Sequence, residues 1–190
     1  MEELIIRAAE VMEAHKQELT ELDTAIGDSD HGINMARGFA AVKTELESYR
    51  TLSEGEILVA VGKTLMRVVS GSAGALYGAA FKAAGKYLTE QNDLSYGARV
   101  AAFAVGIEKI QQLGKATEGE KTMLDAMFPA LRALQEGKGL AEAVRAAQEA
   151  AEHTKDYIAT KGRASYVGER SLGHKDPGAA SFCLLIELLK

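Results

Sequence analysis

Asp23, Asp28 and Asp30 place three carboxylates within eight residues, in the segment Asp23-Thr24-Ala25-Ile26-Gly27-Asp28-Ser29-Asp30-His31-Gly32. At neutral pH such crowding is unfavourable unless solvent or a cation relieves it. Oxygen donors without a cysteine or histidine cluster suit a hard ion, Mg2+ or Ca2+. An EF-hand does not fit: with Asp28 at the first loop position, Ile33 takes the glycine slot and Phe39 the bidentate glutamate slot. Mg2+ takes few protein carboxylates and completes its shell with water and phosphate oxygens. The alternative is a solvated acidic loop in which Asp30 caps the next helix.

Two further segments interrupt the pattern around them. Ser70-Gly71-Ser72-Ala73-Gly74 joins two helical stretches. It reads either as a phosphate cradle at a helix N-terminus or as a tight turn of small residues used for packing. Gly162-Arg163 through Asp176-Pro177-Gly178 is rich in Gly, Ser and charge. Arg163 and Arg170 flank its Gly/Ser-rich part and suit either phosphate or surface ion pairs. His31 follows the acidic cluster, whereas His15, His153 and His174 have no comparable neighbours. Thr122 and Met123 open a helix after the polar loop 115–121, where Met commonly fills core space. Gly62-Lys63-Thr64 imitates the end of a P-loop, but Ile57 stands where the first glycine is required and no strand precedes it.

The elements that hold these segments read as helices. Leu4, Ile5, Ala8, Val11, Met12 and Leu19 recur near a period of 3.6, and Ile57, Val61, Leu65 and Val68 form a second stripe. Further helices are predicted over 33–48, 75–88, 95–112, 122–135, 140–159 and 179–189. Ser53 and Glu56 form a capping box opening the helix at 54. Gly137 and Gly139 mark a stop and restart between two Ala-rich helices, Pro129 lies inside one, and Pro177 sits in a loop ahead of the last. No stretch alternates long enough for a strand. The expectation is an all-α chain of about eight helices in one bundle-like domain covering 1–190.

Composition narrows the function. The 190 residues are 47% hydrophobic and 26% charged, which excludes disordered and fibrous classes. A net charge of −5 and no basic run argue against nucleic-acid binding. The lone Cys183 excludes a disulfide framework or a cysteine zinc site, and no apolar run suggests a membrane span. A cytoplasmic location is the expectation.

The stretches ELDTAIGDSDHGINMARG, SGSAGALYG, GEKTMLDAMFPA and GRASYVGERSLGHKDPGAASF, in this order, resemble the ADP-binding L subunits of dihydroxyacetone kinases. They also resemble the corresponding domain of ATP-dependent one-chain kinases. His31 and the GRASYVGERS block separate the chain from the related helical domain of fatty-acid kinases. The resemblance implies eight antiparallel helices in a barrel-like bundle, with ADP or ATP and two Mg2+ at one end. Asp23, Asp28 and Asp30 would hold the metals, and His31, Gly32, Ile33 and Asn34 would lie near the phosphates. Ser72 and Ala73 would form the phosphate-contacting turn. Gly114, Thr122 and Met123 would flank adenine and ribose, and Arg163 with Asp176, Pro177 and Gly178 would close the site.

The implied activity is transfer from a phosphohistidine carrier, the M subunit, through the bound nucleotide to dihydroxyacetone on a K subunit. An ATP-exchanging kinase module and a non-catalytic regulatory subunit are the alternatives, and self-association is left open. The chain departs from the family at Ala25 and Ser29, where Pro and Gly are usual. It departs again in SGSAGALYG, where GGASGPLYG is common, so Ala73 lacks the usual hydroxyl.

Overall fold

Apolar residues recurring at helical spacing fold into ten α-helices and no strand in the computed structural model, which describes residues 1–190. The helices are α1 (Glu2–Ala14), α2 (Lys16–Ile26), α3 (His31–Thr44), α4 (Leu46–Tyr49) and α5 (Glu54–Val68). They continue as α6 (Gly71–Gln91), α7 (Tyr96–Gly114), α8 (Leu124–Gln135), α9 (Leu140–His153) and α10 (Pro177–Glu187). Two 3-10 segments, Thr154–Asp156 and Arg163–Ser171, lie between α9 and α10. His15 alone separates α1 from α2, and α4 is a single turn, so eight long rods build the molecule.

These rods close into a ring. From α3 the packing runs to α5, α6, α7 and α8, then to α10, which returns to α1 and α2; α9 lies against α8 and α10. A core of 33 buried residues fills the interior. Every residue from Pro177 to Cys183 is buried, which marks the first two turns of α10 as enclosed on all sides, and the helix reaches solvent only at its C-terminal end. Phe182 stacks on Phe103 of α7 with ring centroids 5.9 Å apart. No helix is long and apolar enough to cross a membrane.

The capping box forms as read: the Ser53 hydroxyl accepts from Glu56 N–H and the Glu56 carboxylate accepts from Ser53 N–H. Three helices begin earlier than their apolar pattern indicates. α3 starts at His31 instead of 33, α6 at Gly71 instead of 75, and α10 at Pro177 instead of 179. In each case the first two residues are Gly, Ser, Pro or His, residues that read as loop. A first turn needs no intrahelical N–H bonds, so such residues are tolerated there. The helix expected over 33–48 breaks at Glu45, and that over 140–159 gives way to a 3-10 turn after His153.

Where α5 crosses α6, glycines set the distance. A Cβ on Gly62 would stand 2.5 Å from the Gly78 carbonyl, and one on Gly55 would stand 2.6 Å from the Gly85 carbonyl. The two backbones therefore touch along two helical turns. Gly62→Ala should destabilise the chain by about 1–3 kcal/mol, the usual cost of overpacking. Gly97→Ala, on an open face of α7 with nothing within 4 Å of the new methyl, should instead stabilise by up to about 1 kcal/mol. Thermal melts of both variants check this; a neutral Gly62→Ala would refute the backbone contact.

Candidate functional site

The acidic segment is organised by Asp23, in the last turn of α2 and 5% exposed. Its Oδ2 accepts from the backbone N–H groups of Asp30 (2.9 Å) and His31 (3.1 Å), while its carbonyl accepts from Gly27 N–H. The side chain that satisfies the start of α3 is thus Asp23. Asp30 occupies the N-cap position but makes no capping bond, so the expectation of an Asp30 cap is corrected. Ser29 takes a left-handed backbone (φ 63°), and the loop between α2 and α3 doubles back over Asp23. At Gly32 the helices touch: a Cβ there would meet the Lys16 carbonyl and lie 2.8 Å from Thr20 N.

The folded loop brings carboxylate oxygens of Asp23, Asp28 and Asp30 within 4.8 Å of one another. Burial raises the Asp30 pKa; the charges of Asp28 and Asp23 act in the same sense, and the Asn34 side chain opposes them. Asp28 is exposed and pairs with Arg163 at 2.5 Å. Three mutually repelling carboxylates, one countered by a cation from a distant loop, form a donor set suited to a hard divalent ion.

Beneath this loop the His31 ring turns into the core. Its Nε2 lies 3.0 Å from Ser181 Oγ, and Ser181 Oγ lies 3.0 Å from the Tyr77 hydroxyl. The ring also hydrogen-bonds the Pro177 backbone, which has only a carbonyl to offer, so the proton on that side belongs to the imidazole. Ser181 Oγ also lies 3.0 Å from the Gly178 carbonyl, so His31, Tyr77 and Gly178 all meet at this one hydroxyl. Burial lowers the His31 pKa to about 4, with Asp23 opposing. The chain of bonds ties α3, α6 and α10 together directly below the acidic loop.

Three more helix starts meet at this end. Arg37 of α3 donates to Asn34 Oδ1 (2.7 Å) and to Ser70 Oγ (2.9 Å), which joins the start of α6 to the start of α3. Gly178 of α10 lies against Met123, at the start of α8, with only 3.4 Å between its Cβ position and Met123 Cβ. The Asp125 carboxylate accepts from Gly119 N–H (2.6 Å), Thr122 N–H (2.7 Å) and the Tyr157 hydroxyl (2.7 Å). Lys121, 1% exposed and left-handed (φ 62°), donates to the carbonyls of Tyr157 (3.0 Å) and Ser171 (2.5 Å). Burial lowers its pKa, and the carboxylates of Asp176, Asp125 and Asp156 act against that. Asp176 caps α10 by accepting from Ala179 N–H (2.7 Å), and burial raises its pKa to about 7.

The residues singled out in the sequence therefore gather at the end of the ring where α3, α6, α8 and α10 begin. Gly32 and Asn34 are buried in the first turn of α3, and Ile33 is exposed beside them. Ser72 and Ala73 lie in the first turn of α6. Gly114 ends α7, its Cβ position 3.8 Å from Leu76 of α6. His15 and His153 make only surface pairs, with Glu18 and Asp156.

The DAK2 domain family matches residues 25–190. The chain belongs to that family. This DAK2 domain is 41% identical over 180 residues to the ADP-binding subunit DhaL of PEP-dependent dihydroxyacetone kinase 1 of Listeria innocua, covering 95% of this chain and 89% of that one. It is 36% identical over 193 residues to the ADP-binding subunit DhaL of the PEP-dependent dihydroxyacetone kinase of Escherichia coli, covering 97% and 92%. The crystal structure of the dihydroxyacetone kinase of C. freundii in complex with AMP-PNP and Mg2+ superposes with a TM-score of 0.80 at 28% identity, over 99% of this DAK2 domain and 33% of that chain.

Sequence reasoning missed Arg37, Lys121, Asp125, Tyr157 and Ser181. Asp125 carried a signal, since Thr122-x-x-Asp125 has capping-box spacing. Arg37 also had one, three residues after Asn34 on the same face of α3. Lys121, Tyr157 and Ser181 had none, because their partners are distant in sequence.

His31 and Asp176, two of the buried ionisable groups, oppose each other with pH. For His31, with its pKa depressed from 6.5 to about 4, the unfolded chain binds the extra proton, so stability falls as pH drops through that window. For Asp176, raised from 3.8 to about 7, the folded chain binds the extra proton, so stability falls as pH rises through its window. Asp176→Asn removes the second effect. The metal-free variant should gain stability relative to the parent by a few kcal/mol between pH 4 and pH 8. Urea midpoints in EDTA at the two pH values test this; a pH-independent difference would show that Asp176 is charged throughout.

Proposed function

We propose that this DAK2 domain is the ADP-binding subunit of a phosphoenolpyruvate-dependent dihydroxyacetone kinase. One observation carries the reading: a cluster of three carboxylates lies at the end of the bundle where α3, α6, α8 and α10 begin. Helix N-termini favour anions and carboxylates favour cations. The two needs are met together by a cation-bridged polyphosphate, that is, by a nucleotide diphosphate or triphosphate with divalent metal. The names of the similar subunits and of the structure with AMP-PNP and Mg2+ support the same ligands.

Asp23, Asp28 and Asp30 would hold two Mg2+, and the metals would supply neutralising charge at the phosphate oxygens. Asp23 spends Oδ2 on two backbone N–H groups and keeps Oδ1 for the metals. Backbone N–H groups of Gly32, Ile33, Ser72 and Ala73 would take the phosphates, with Asn34, whose own N–H is bonded to the Asp30 carbonyl, beside them. In this loop the main chain serves without the usual hydroxyl at Ala73. Gly114, Thr122 and Met123 would bound the base and ribose, with Asp176, Pro177 and Gly178 behind them. Arg163 would turn its guanidinium to the transferring group, where a planar fork suits phosphoryl oxygens.

The chain's residues act by holding and orienting, which is most of what phosphoryl transfer requires. His31, neutral and spent on Ser181 and Pro177, is a structural member of the site and not its base. A phosphohistidine carrier, the M subunit, would deliver the phosphoryl group to the nucleotide held here. Dihydroxyacetone on the K subunit would receive it.

The isolated chain with ATP, Mg2+ and dihydroxyacetone should give no product until a K subunit is added, and turnover with phosphoenolpyruvate should need the carrier as well. Asp30→Ala should lose Mg–ADP binding by at least about a hundredfold, since a bound phosphate charge loses its counterion. Calorimetric titration and a coupled assay for dihydroxyacetone phosphate read the two results. Product from the isolated chain would overturn the division of labour. Full Mg–ADP binding by Asp30→Ala would show that the acidic loop holds no metal for the nucleotide.

A further inference from the structure

We infer that Arg37 is a positioning residue for the metal and phosphate end of this site, acting through Asn34 on one side and Ser70 on the other. The inference rests on the nucleotide-binding reading and adds to it a residue that contacts neither ligand. Asp30, Asn34 and Arg37 follow one another at helical spacing along one face at the start of α3. The Arg37 guanidinium forms no ion pair; Nη2 donates to two neutral oxygens, Asn34 Oδ1 at 2.7 Å and Ser70 Oγ at 2.9 Å.

The first arm fixes an amide. Asn34 has one carbonyl and one NH2 end; it follows Asp30 by one helical turn, and its side chain acts to lower the Asp30 pKa. A carboxylate accepts only, so the NH2 end must face Asp30. Arg37 holds Oδ1 and makes the opposite flip unfavourable, because that flip would aim NH2 at a guanidinium and Oδ1 at a carboxylate. Arg37 thereby sets the direction of the one neutral donor that steadies Asp30.

The second arm occupies a hydroxyl. Ser53 and Ser95 stand at the N-cap of α5 and α7, and each side chain accepts from a backbone N–H of its own helix. Ser70 holds the same place on α6 with a similar extended backbone, yet its side chain makes no capping bond. Its hydroxyl receives Arg37 instead, and that partner comes from 33 residues earlier in the chain. The N–H groups of the first turn of α6, including those of Ser72 and Ala73, receive no cap from Ser70, whose hydroxyl is drawn to Arg37 while Gly71 (φ 70°) turns the backbone between them. An ordinary serine cap would compete with phosphate for those donors. One guanidinium thus orients the metal-side carboxylate and clears the phosphate-side amides.

The test compares the full chain with Arg37→Met, Arg37→Lys, Ser70→Ala and the Arg37→Met/Ser70→Ala double variant. Mg2+ and ADP are the ligands, read by titration calorimetry, and melting of the metal-free chain is the control. Arg37→Met should weaken Mg–ADP binding by about tenfold or more, the loss expected when charge-assisted bonds at a site are removed. It should also raise the Mg2+ concentration needed for half-saturation. Arg37→Lys, whose ammonium can donate to both oxygens, should recover most of the affinity. Ser70→Ala should leave the melting temperature unchanged, because no cap is lost, and the double variant should bind no more weakly than Arg37→Met alone.

Multiplying losses in the double variant would assign Arg37 a contact of its own and overturn the inference. So would Arg37→Met binding like the parent chain, or a fall in melting temperature on Ser70→Ala. If the parent chain itself fails to bind Mg–ADP, the nucleotide reading fails and the inference falls with it. A binding parent with an indifferent Arg37→Met overturns the inference alone.

Discussion

One buried carboxylate holds the functional end in shape. Asp23 is the only acid of the cluster that is fully enclosed, and it spends one oxygen on two backbone N–H groups at the start of α3. Those bonds fix where α2 ends, how the loop to α3 reverses, and where Asp28 and Asp30 project. An unpaired carboxylate at that depth would be costly; two N–H donors and a neighbouring open face make it tolerable. The same bonds pin His31 at the first position of α3, from which its ring reaches Ser181 and Pro177 of α10. The loop that looks like a surface feature is therefore anchored through α3 into the most deeply buried helix of the fold.

The site combines two electrostatic demands that no protein group satisfies alone. Helix starts supply unpaired N–H donors, and the acidic loop supplies excess negative charge at the same end of the bundle. Arg163 answers part of that charge through Asp28, but Asp30 keeps a raised pKa from burial and from its two acidic neighbours. The high proton affinity of Asp176, enclosed behind Met123 and Gly178, belongs to the same pattern of charge held in a low-dielectric setting.

What the sequence disclosed depended on distance along the chain. The acidic triad was legible because its three members fall within eight residues, and the Ser53 capping box because it spans one helical turn. The all-helical class followed from periodicity. Three helix starts were not legible, since Gly71, Pro177 and His31 belong equally to loops until the tertiary neighbours of their N–H groups are known. The fold selected helix there: residues 70–74, legible either as a cradle at a helix start or as a packing turn, form the N-cap and first turn of α6. Lys121 was illegible for another reason. A lysine in a polar loop reads as solvated, and only the carbonyls of Tyr157 and Ser171, 36 and 50 residues away, reveal it as an internal strut.

The two sides of the mouth are attached by different means. The helix starts of α3, α6 and α10 are tied through the Tyr77–Ser181–His31 bonds and packed into the main core. The segment carrying Arg163 is joined by polar contacts, namely Lys121 to two carbonyls, Asp125 to Tyr157, and Asp28 to Arg163. It adds a small apolar cluster of Ile26, Ala159 and Ala164. Apolar burial is non-directional, whereas hydrogen bonds fix angle as well as distance. Where rigid placement of donors matters, the fold uses packed helices. Where a cation must be brought over a carboxylate from more than a hundred residues away in sequence, it uses directed polar ties. Lys121 and Asp125 flank Thr122 in the chain, so the ties that set Arg163 also set the wall beside it. The α7–α8 loop and the segment over the site are consequently one mechanical unit, even though 36 residues separate Lys121 from Tyr157.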